Sequence, residues 1–591
     1  MAFQVSPGIN ISEQDLTTVV PNVATAIGAY AGGFAWGPVD ERTTITTENE
    51  LVDIFGKPNA ATQNHFWTCA NYLAYSNNLI VVRCVETAAM NATIGDNAPS
   101  AAGVDVYNAT HYDSATIAND VLFIAKYPGA LGNSLLVKVI DTNAWSDSTV
   151  NADFLANFDG APGTSDDVAY ANGWDGVSAK PARNDEMHLL VIDEDGLWTG
   201  TPGYILERHA YISKASDAKR HDGSSNYIKD VLRNESKYIW LGDVTQLTTL
   251  SVAAGKEAGE AKAGGAAFQT FDSATAAEGV LGGSMGWGAD GYSSATEAVA
   301  YGTRTAAGKG YNLFATQDVV DVNLILGGVT DTATNSTLSG MVGLGATERN
   351  DAMVFLSPSY ANAVTTPDAA AIVTGKNTSS NYCVMDSAWK YQYDRYRDQF
   401  MWVPMNGDTA GLCARTEYTN DAWWSPAGMT RGQIKNIVKL SWEPTKADRD
   451  TLYKGSVNPI INMTGAGSIL WGDKTCQITP TAFDRINVRR LFIVLEKAIS
   501  IAAKSMLFEF NDVFTRSSFV NMVTPFLREI KGRRGITDFK VVCDGSNNTG
   551  QIIDTNQFVG DIYIKPARSI NYIQLNFIAA RTDVSFSEIG G

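Results

Sequence analysis

Apolar residues, with Pro7 among them, fill every odd position from Met1 to Ile11, while every even position from Ala2 to Ser12 is small or polar. Phe3, Val5, Ile9 and Ile11 carry the apolar side. Successive side chains of a strand point to opposite faces, so a period of two specifies a ribbon with one buried face. The far end of the chain repeats the device. Ile573, Leu575 and Phe577 share one face there, and Tyr572, Gln574 and Asn576 the other. Ile562 and Ile564 alternate in the same way within Phe558–Lys565, which is expected to pair with Ile570–Ala580 as a terminal hairpin. Termini are ordinarily frayed and polar. Two amphipathic strands at opposite ends therefore read as arms that dock into a sheet, of the same molecule or of a neighbour.

At 591 residues the chain is too long for a single core and should divide into several domains. Its 45% hydrophobic and 18% charged content is that of a globular protein. With 63 acidic and 45 basic residues the net charge is −18, which argues against coating nucleic acid, where binding is driven by counterion release. The charge is uneven. Residues 91–200 hold 16 Asp and Glu against 4 Lys and Arg, a net of −12, whereas residues 481–540 hold 11 basic against 6 acidic, a net of +5. That contrast suggests an outward acidic surface and a basic surface turned toward an acidic partner. No basic n-region followed by an apolar core opens the sequence, and no run of 18 apolar residues suggests a membrane span. Six scattered cysteines without metal-ligand spacing fit a reducing cytoplasm and buried thiols.

Along the chain, Val23–Tyr30 reads as a strand broken at Gly32-Gly33, Glu48–Phe55 as a helix stopped by Gly56, His65–Tyr75 as a second helix, and Leu79–Val85 as a strand. From about 90 to 350, short strands such as Val121–Ala125, Leu135–Ile140 and His188–Asp193 alternate with Gly, Asp, Asn and Ser clusters. This region reads as one or two β-rich insertions with long loops. Ala352–Leu356 is a strand candidate. The strongest helical period is Val488, Leu491, Phe492, Leu495, Ile499, Ala502 and Met506, followed by a second helix near 513–530. The expected fold is a mixed multidomain α+β protein, with an α/β core built from both chain ends and interrupted by the middle.

Catalytic chemistry is not signalled. Five histidines include no His-Glu-x-x-His pair, and no Gly-x-Ser-x-Gly elbow occurs. Gly467–Thr475 mimics a phosphate loop, but Asp473 stands between Gly472 and Lys474, shifting the lysine and placing a carboxylate where phosphate would sit. Tyr391, Tyr393, Arg395, Tyr396, Arg397, Phe400 and Trp402 interleave aromatics with cations as single-strand binders do. Asp394 and Asp398 dilute that charge, and an amphipathic core edge is the favoured reading. Neither a cofactor nor a metal is expected.

Ser6-Pro7-Gly8-Ile9, Gly32-Gly33-Phe34-Ala35-Trp36-Gly37-Pro38, Phe55-Gly56, Ala410-Gly411 through Thr416, Trp424-Ser-Pro426-Ala427-Gly428, Val457–Ile460 and Leu470–Thr475 follow one another along the chain. In that order these motifs resemble those of contractile-tail sheath proteins of myophages. The middle agrees through Ser213–Lys219 and Asn226–Val231, and the ending Asp561–Tyr572 looks like sheaths of the T-even type. Ser425-Pro-Ala-Gly428 stands where many distant sheaths carry Ala-Pro-Ala-Asn, which favours the same branch. The resemblance implies a virion protein, made in the host bacterial cytoplasm, that stacks as hexameric rings around an inner tail tube protein. Its other partners would be baseplate and tail-terminator proteins, without nucleic-acid contact or membrane insertion. Contraction would drive the tube through the host envelope. It also implies that an N-terminal arm of one neighbour and a C-terminal arm of another join a subunit's sheet.

On that basis the expected divisions are an arm at 1–24, core at 25–90, an outer β-rich insertion at 91–200, a second insertion at 201–350, core again at 351–480, and a tube-facing domain with the C-terminal arm at 481–591. Interface residues would be Phe3, Val5, Ile9 and Ile11 on one arm and Ile562, Ile564, Ile573, Leu575 and Phe577 on the other. Arg528, Lys531, Arg533 and Arg534 are candidates to face the tube; the alternative is that they cap their helix or pair with carboxylates. Burying Val5, Ile9 and Ile11 gains ~1.5–3 kcal/mol each and ladder hydrogen bonds add ~0.5–1.5 each. Ordering costs ~1–2 kcal/mol per residue, so an arm of about ten residues nearly breaks even. A single arm would hold weakly and several together firmly. Two other readings are the sheath of a headless phage-tail-like particle and a surface-acting glycan-binding protein or hydrolase using Trp145, Trp174, Trp198 and Trp287.

Overall fold

The computed structural model describes residues 25–95, 104–115, 117, 121–142, 145, 155–162, 185–216, 218–220, 222–242, 281–291, 304, 308–329, 349–376, 378–571, 573 and 574. Phe3, Val5, Ile9, Ile11, Leu575 and Phe577 lie outside the described residues.

The core begins with β1 (Gly28–Gly32), β2 (Arg42–Ile45) and β3 (Leu79–Arg83). Helix α1 (Glu48–Phe55) starts where the Thr47 side chain accepts the Glu50 N–H, and it stops at Gly56, whose φ of 77° suits a residue without Cβ. Helix α2 (Gln63–Leu73) follows. The middle of the chain carries β4 (Thr93–Gly95), β5 (Val121–Ala125), β6 (Leu135–Ile140), β7 (Glu186–Asp193), β8 (Tyr204–Ser213), β9 (Ile239–Leu241) and β10 (Leu281–Ser284). The core then resumes with β11 (Leu324–Val329), β12 (Met353–Ser357) and β13 (Cys383–Met385). The six core strands form one sheet in the order β13-β12-β11-β1-β3-β2. All neighbours are parallel except β2 on β3. Strands β1 and β12 are buried along their whole length, as expected of a parallel sheet covered on both faces.

Two details separate this architecture from the expected divisions. Strand β11 sits inside the core sheet between β12 and β1, so the core resumes well before residue 351. Strands β7 and β8 pair from Glu186↔Ser213 to Asp193↔Tyr204, so a boundary at 200/201 would cut a hairpin. Gly196, Gly200 and Gly203 all adopt positive φ there and bend one chain rather than link two domains.

The insertion folds as two antiparallel sheets, β4-β5-β9 and β10-β6-β7-β8, around Leu122, Phe123, Val137, Leu189 and Ile212. Trp36 belongs to this cluster and meets Trp198 edge-on at 4.8 Å and Tyr127 at 5.4 Å. The turn that carries Trp36 is held by buried Arg83, which donates to the carbonyls of Phe34 (3.0 Å), Gly37 (2.9 Å) and Pro128 (2.6 Å). A buried cation satisfied by backbone carbonyls from both sides thus joins core to insertion.

Hairpin β14 (Trp389–Asp394) and β15 (Gln399–Pro404) leads into helix α3 (Asn406–Thr419), which packs on α2 and the core sheet. Small residues permit that approach. A Cβ on Gly407 would stand 2.2 Å from the Thr68 carbonyl, and one on Gly411 2.5 Å from the Tyr75 ring. The remaining elements are β16 (Lys439–Leu440), α4 (Lys446–Lys454), and the hairpin β17 (Ile460–Met463) and β18 (Gly467–Leu470). A C-terminal unit follows, made of α5 (Ile486–Ala503), α6 (Val513–Gly532), β19 (Ile536–Val542) and β20 (Asp561–Pro566).

Gly407→Ala should force α2 and α3 apart and cost about 1–3 kcal/mol. Thermal unfolding of the purified variant should show a lower Tm; an unchanged Tm would mean that the helices are not packed this closely.

Candidate assembly interface

The C-terminal unit buries one apolar seam. Leu491, Leu495 and Ala498 of α5 meet Phe519, Val523, Leu527 and Ile530 of α6, with Phe539, Val541, Ile562 and Ile564 of the ribbon packed against them. The ribbon is antiparallel, with Val541 opposite Ile562 and Phe539 opposite Ile564. One strand partner of 561–566 is therefore 536–542; most of the 570–580 segment of the expected terminal hairpin lies outside the described residues. Alternation identified the apolar faces, but a period of two does not say which strand lies alongside. Ile562 and Ile564 face their own domain, whereas Ile573 stands 77% exposed. Among the described residues neither β19 nor β20 has a second strand neighbour, so the ribbon presents two open edges.

The root of the C-terminal arm is fastened to the body by a buried carboxylate. Asp473, 3% exposed, accepts from Ser569 Oγ at 2.6 Å, Arg485 Nη1 at 2.8 Å and Ser425 Oγ at 3.2 Å. Its own carbonyl accepts the Ile486 N–H at the start of α5 at 2.8 Å. The Asn571 carboxamide closes the group, its oxygen 2.8 Å from the Tyr453 hydroxyl and turned to Arg485, its nitrogen 3.2 Å from Ser569 Oγ. Burial opposes the charge on Arg485, but Asp473 and Tyr453 outweigh it and hold the guanidinium above its ordinary pKa. Asp473 was singled out by sequence only as the residue that spoils a phosphate loop. Its partners lie 12 to 96 residues away, too far for any motif to reveal. The loop's amides are equally occupied: Trp471 N–H bonds Pro459 O, and Lys474 N–H bonds Asn458 Oδ1.

The basic candidates divide. Arg533 pairs with Asp421 and Glu529 and lies over the Trp423 ring at 5.2 Å. Burial raises the Asp421 carboxyl above its usual range and Arg533 pulls it back. Lys531 pairs with Asp538 at 3.2 Å. Arg534 lines a cleft beside the arm root. Arg528 is exposed, with no ion pair among the described residues. The net +5 of 481–540 is largely spent internally, because Arg485, Arg490, Lys497 and Lys504 pair with Asp473, Glu417, Asp321 and Asp318 from outside that window. Local charge sums miss carboxylates that folding brings in from elsewhere.

The Trp residues do not assemble a platform among the described residues. Trp198 is packed on Trp36 and Tyr238, Trp145 lies against His188, and Trp287 alone stands out at 60% exposure. Trp174 lies outside the described residues. Tyr391 stacks on Phe400 and meets Trp402 at a tilt across the β14–β15 hairpin, with Lys439 over Tyr391 at 4.9 Å. One exposed apolar feature escaped the sequence reading. Leu507, Phe508, Phe510, Val513 and Phe514 project from the turn between α5 and α6, and Phe508 is held outward at φ 71°. Among the described residues no three His, Cys, Asp or Glu side chains cluster as for a metal, and no helix is long and apolar enough to cross a membrane.

Known proteins match the sequence over nearly its whole length. The chain is 32% identical to the tail sheath protein of Vibrio phage KVP40 over 99% of its own length and 100% of that protein. The chain belongs to the phage tail sheath protein family. Its T-even-like branch is supported by the tail sheath protein of Enterobacteria phage T4, 31% identical over 99% of both chains. The model of the sheath central domain matches residues 307–476, and that of the sheath C-terminal domain matches 479–580. The first begins ahead of β11, where the core sheet resumes. A sheath tail protein from Listeria innocua shares the fold at a TM-score of 0.52, 11% identical and covering 92% of each chain.

In this sheath family member, Asp473→Asn should free the arm root while leaving the body folded. Removing the charged acceptor should cost the latch about 1–3 kcal/mol. Trypsin should then cut at Arg568 markedly faster than in the unaltered chain, with little change in Tm. Equal cleavage rates would show that the latch does not hold the arm.

Proposed function

We propose that the chain is the structural, force-transmitting subunit of a contractile phage tail sheath and has no active site. The observation that carries this reading is the β19–β20 ribbon, open-edged among the described residues and followed by a segment tied to the body at Ser569 and Asn571, in a chain of the sheath family. The free N–H and C=O groups along an open strand edge favour added strands. The alternating segments 1–11 and 573–577 have the pattern to supply them. Arms from two neighbours would complete a four-stranded sheet, one on each edge, and link subunits into stacked hexameric rings. The inner tail tube, baseplate and tail terminator are the partners this role requires, with assembly in the host cytoplasm and residence in the virion. Removing residues 1–12, or separately 568–591, should leave a soluble, folded monomer that forms no tubes by electron microscopy. Normal tubes from either truncation would overturn strand exchange.

The contact with the tube narrows to Arg528, the one basic candidate neither paired nor beside the cleft. A sheath must slide and re-seat, which screened charge permits better than dry packing. Arg528→Glu should weaken assembly on purified tubes, more so at low salt, and spare polymerisation without tubes. Equal loss of both would place Arg528 between sheath subunits.

A further inference from the structure

A cleft of about 800 Å³ opens beside the arm root, between the 423–431 loop, α4, Trp471–Asp473 and the Ala567–Asn571 segment. Arg431, Lys446, Arg449, Arg534 and Arg568 converge on it. None of these five forms an ion pair among the described residues, in a chain whose net charge is −18. Of the two carboxylates in the lining, Asp450 is exposed and Asp473 is committed to Arg485 and Ser569. The walls also carry indole surface from Trp424 and from Trp471, which is 42% exposed. Five like charges brought together repel one another, and an acidic occupant would relieve that. The lining selects an extended segment that is acidic, free of cations and flanked by apolar side chains.

The chain contains such a segment. No Lys or Arg precedes Arg42, and Glu13 and Asp15 stand between Ile9, Ile11 and Leu16, Val19, Val20. The position of the cleft agrees as well. It lies at the end of the ribbon where β19 begins and β20 finishes, since Arg534 precedes Ile536 by two residues and Ala567 follows Pro566. A strand laid along the ribbon through residues 3–11 would carry residues 13–15 past one end, ~7–14 Å beyond Ile11 at ~3.4 Å per residue. We propose that this cleft is the receptor for the Glu13–Asp15 segment of the N-terminal arm of a second copy, its cations binding those carboxylates and its indoles covering the adjoining aliphatic side chains. The proposal rests on the strand-exchange reading and gives it a polarity. Alternation alone would let an arm add in either direction or slip by two residues, whereas a charge lock at one end fixes both.

Full-length chains provide the test. Glu13→Lys with Asp15→Lys, and separately Arg449→Glu with Arg568→Glu, should each raise the concentration needed for polymerisation at low salt by about tenfold. Combining all four should restore it to within about threefold of the native chain, because the pair is reformed with signs exchanged. A combined variant no better than either pair would overturn the cleft assignment, even though truncation of residues 1–12 still abolished tubes. Tubes that survive that truncation would overturn the exchange reading and the cleft with it. A second measurement leaves the cleft unaltered. A photo-crosslinker in place of Gln14, in mixed isotopically heavy and light chains, should join to 423–431, 446–453 or 567–571 of another copy. Cross-links confined to the same copy or to other surfaces, including the chain's own C-terminal segment as the occupant, would overturn the proposal.

Discussion

The buried carboxylate of Asp473 is the point on which the rest of the assembly machinery hangs. A single side chain receives Ser425 from the loop before α4, Arg485 at the start of α5 and Ser569 at the arm root. A carboxylate taken out of water needs its lone pairs filled, and here each filling group comes from a different segment. The consequence is mechanical. The C-terminal unit, the small β17–β18 hairpin and the departing arm share one fixed point, so strain applied through the arm reaches the core through a charge-assisted link rather than a loose tether.

Around that fixed point the molecule is left unfinished. The core sheet holds six strands, those at its centre buried and covered by α2 and α3. The C-terminal ribbon has two, and among the described residues both its edges are open. The same backbone groups that stabilise a sheet become binding sites when they lack a neighbour. Because one arm nearly breaks even against its ordering entropy, attachment gains strength only through multiplicity. A subunit built this way can stay separate in solution and still polymerise firmly once a template aligns several copies. The net −12 over residues 91–200 adds like-charge repulsion between separate copies.

How much of this was legible beforehand follows from what periodicity encodes. Helix α1 ran over Glu48–Phe55 as expected because its cap, apolar spacing and terminating Gly56 are all local. Strands β5 and β6 matched for the same reason, with continuous apolar runs bounded by turn residues. Pairing was not legible. Nothing in Leu324–Val329 says that it lies between strands from residues 28 and 353, and nothing in Asp561–Pro566 says that it pairs backward to Ile536–Val542. Charge misled in the same way. The basic stretch 481–540 looked like an exposed surface, yet Arg490 donates to the Cys413 carbonyl and pairs with Glu417, while Lys497 pairs with Asp321. The motifs carrying the family likeness proved to be structural joints: Arg83 pins the Gly32–Pro38 turn, Gly407 and Gly411 admit α2, and Asp473 latches the arm.

Hydrogen–deuterium exchange compared between monomer and polymer tests the central claim most directly, because it reads the backbone groups at issue. Completion of the ribbon by arms from neighbours predicts that peptides covering 536–542 and 561–566 gain protection on polymerisation, together with those covering 1–12 and 573–577. The core strands at 28–32 and 353–357 should be protected equally in both states. Arms that gain protection while the ribbon exchanges as fast in the polymer as in the monomer would show that they dock elsewhere, and the account built on open edges would fail.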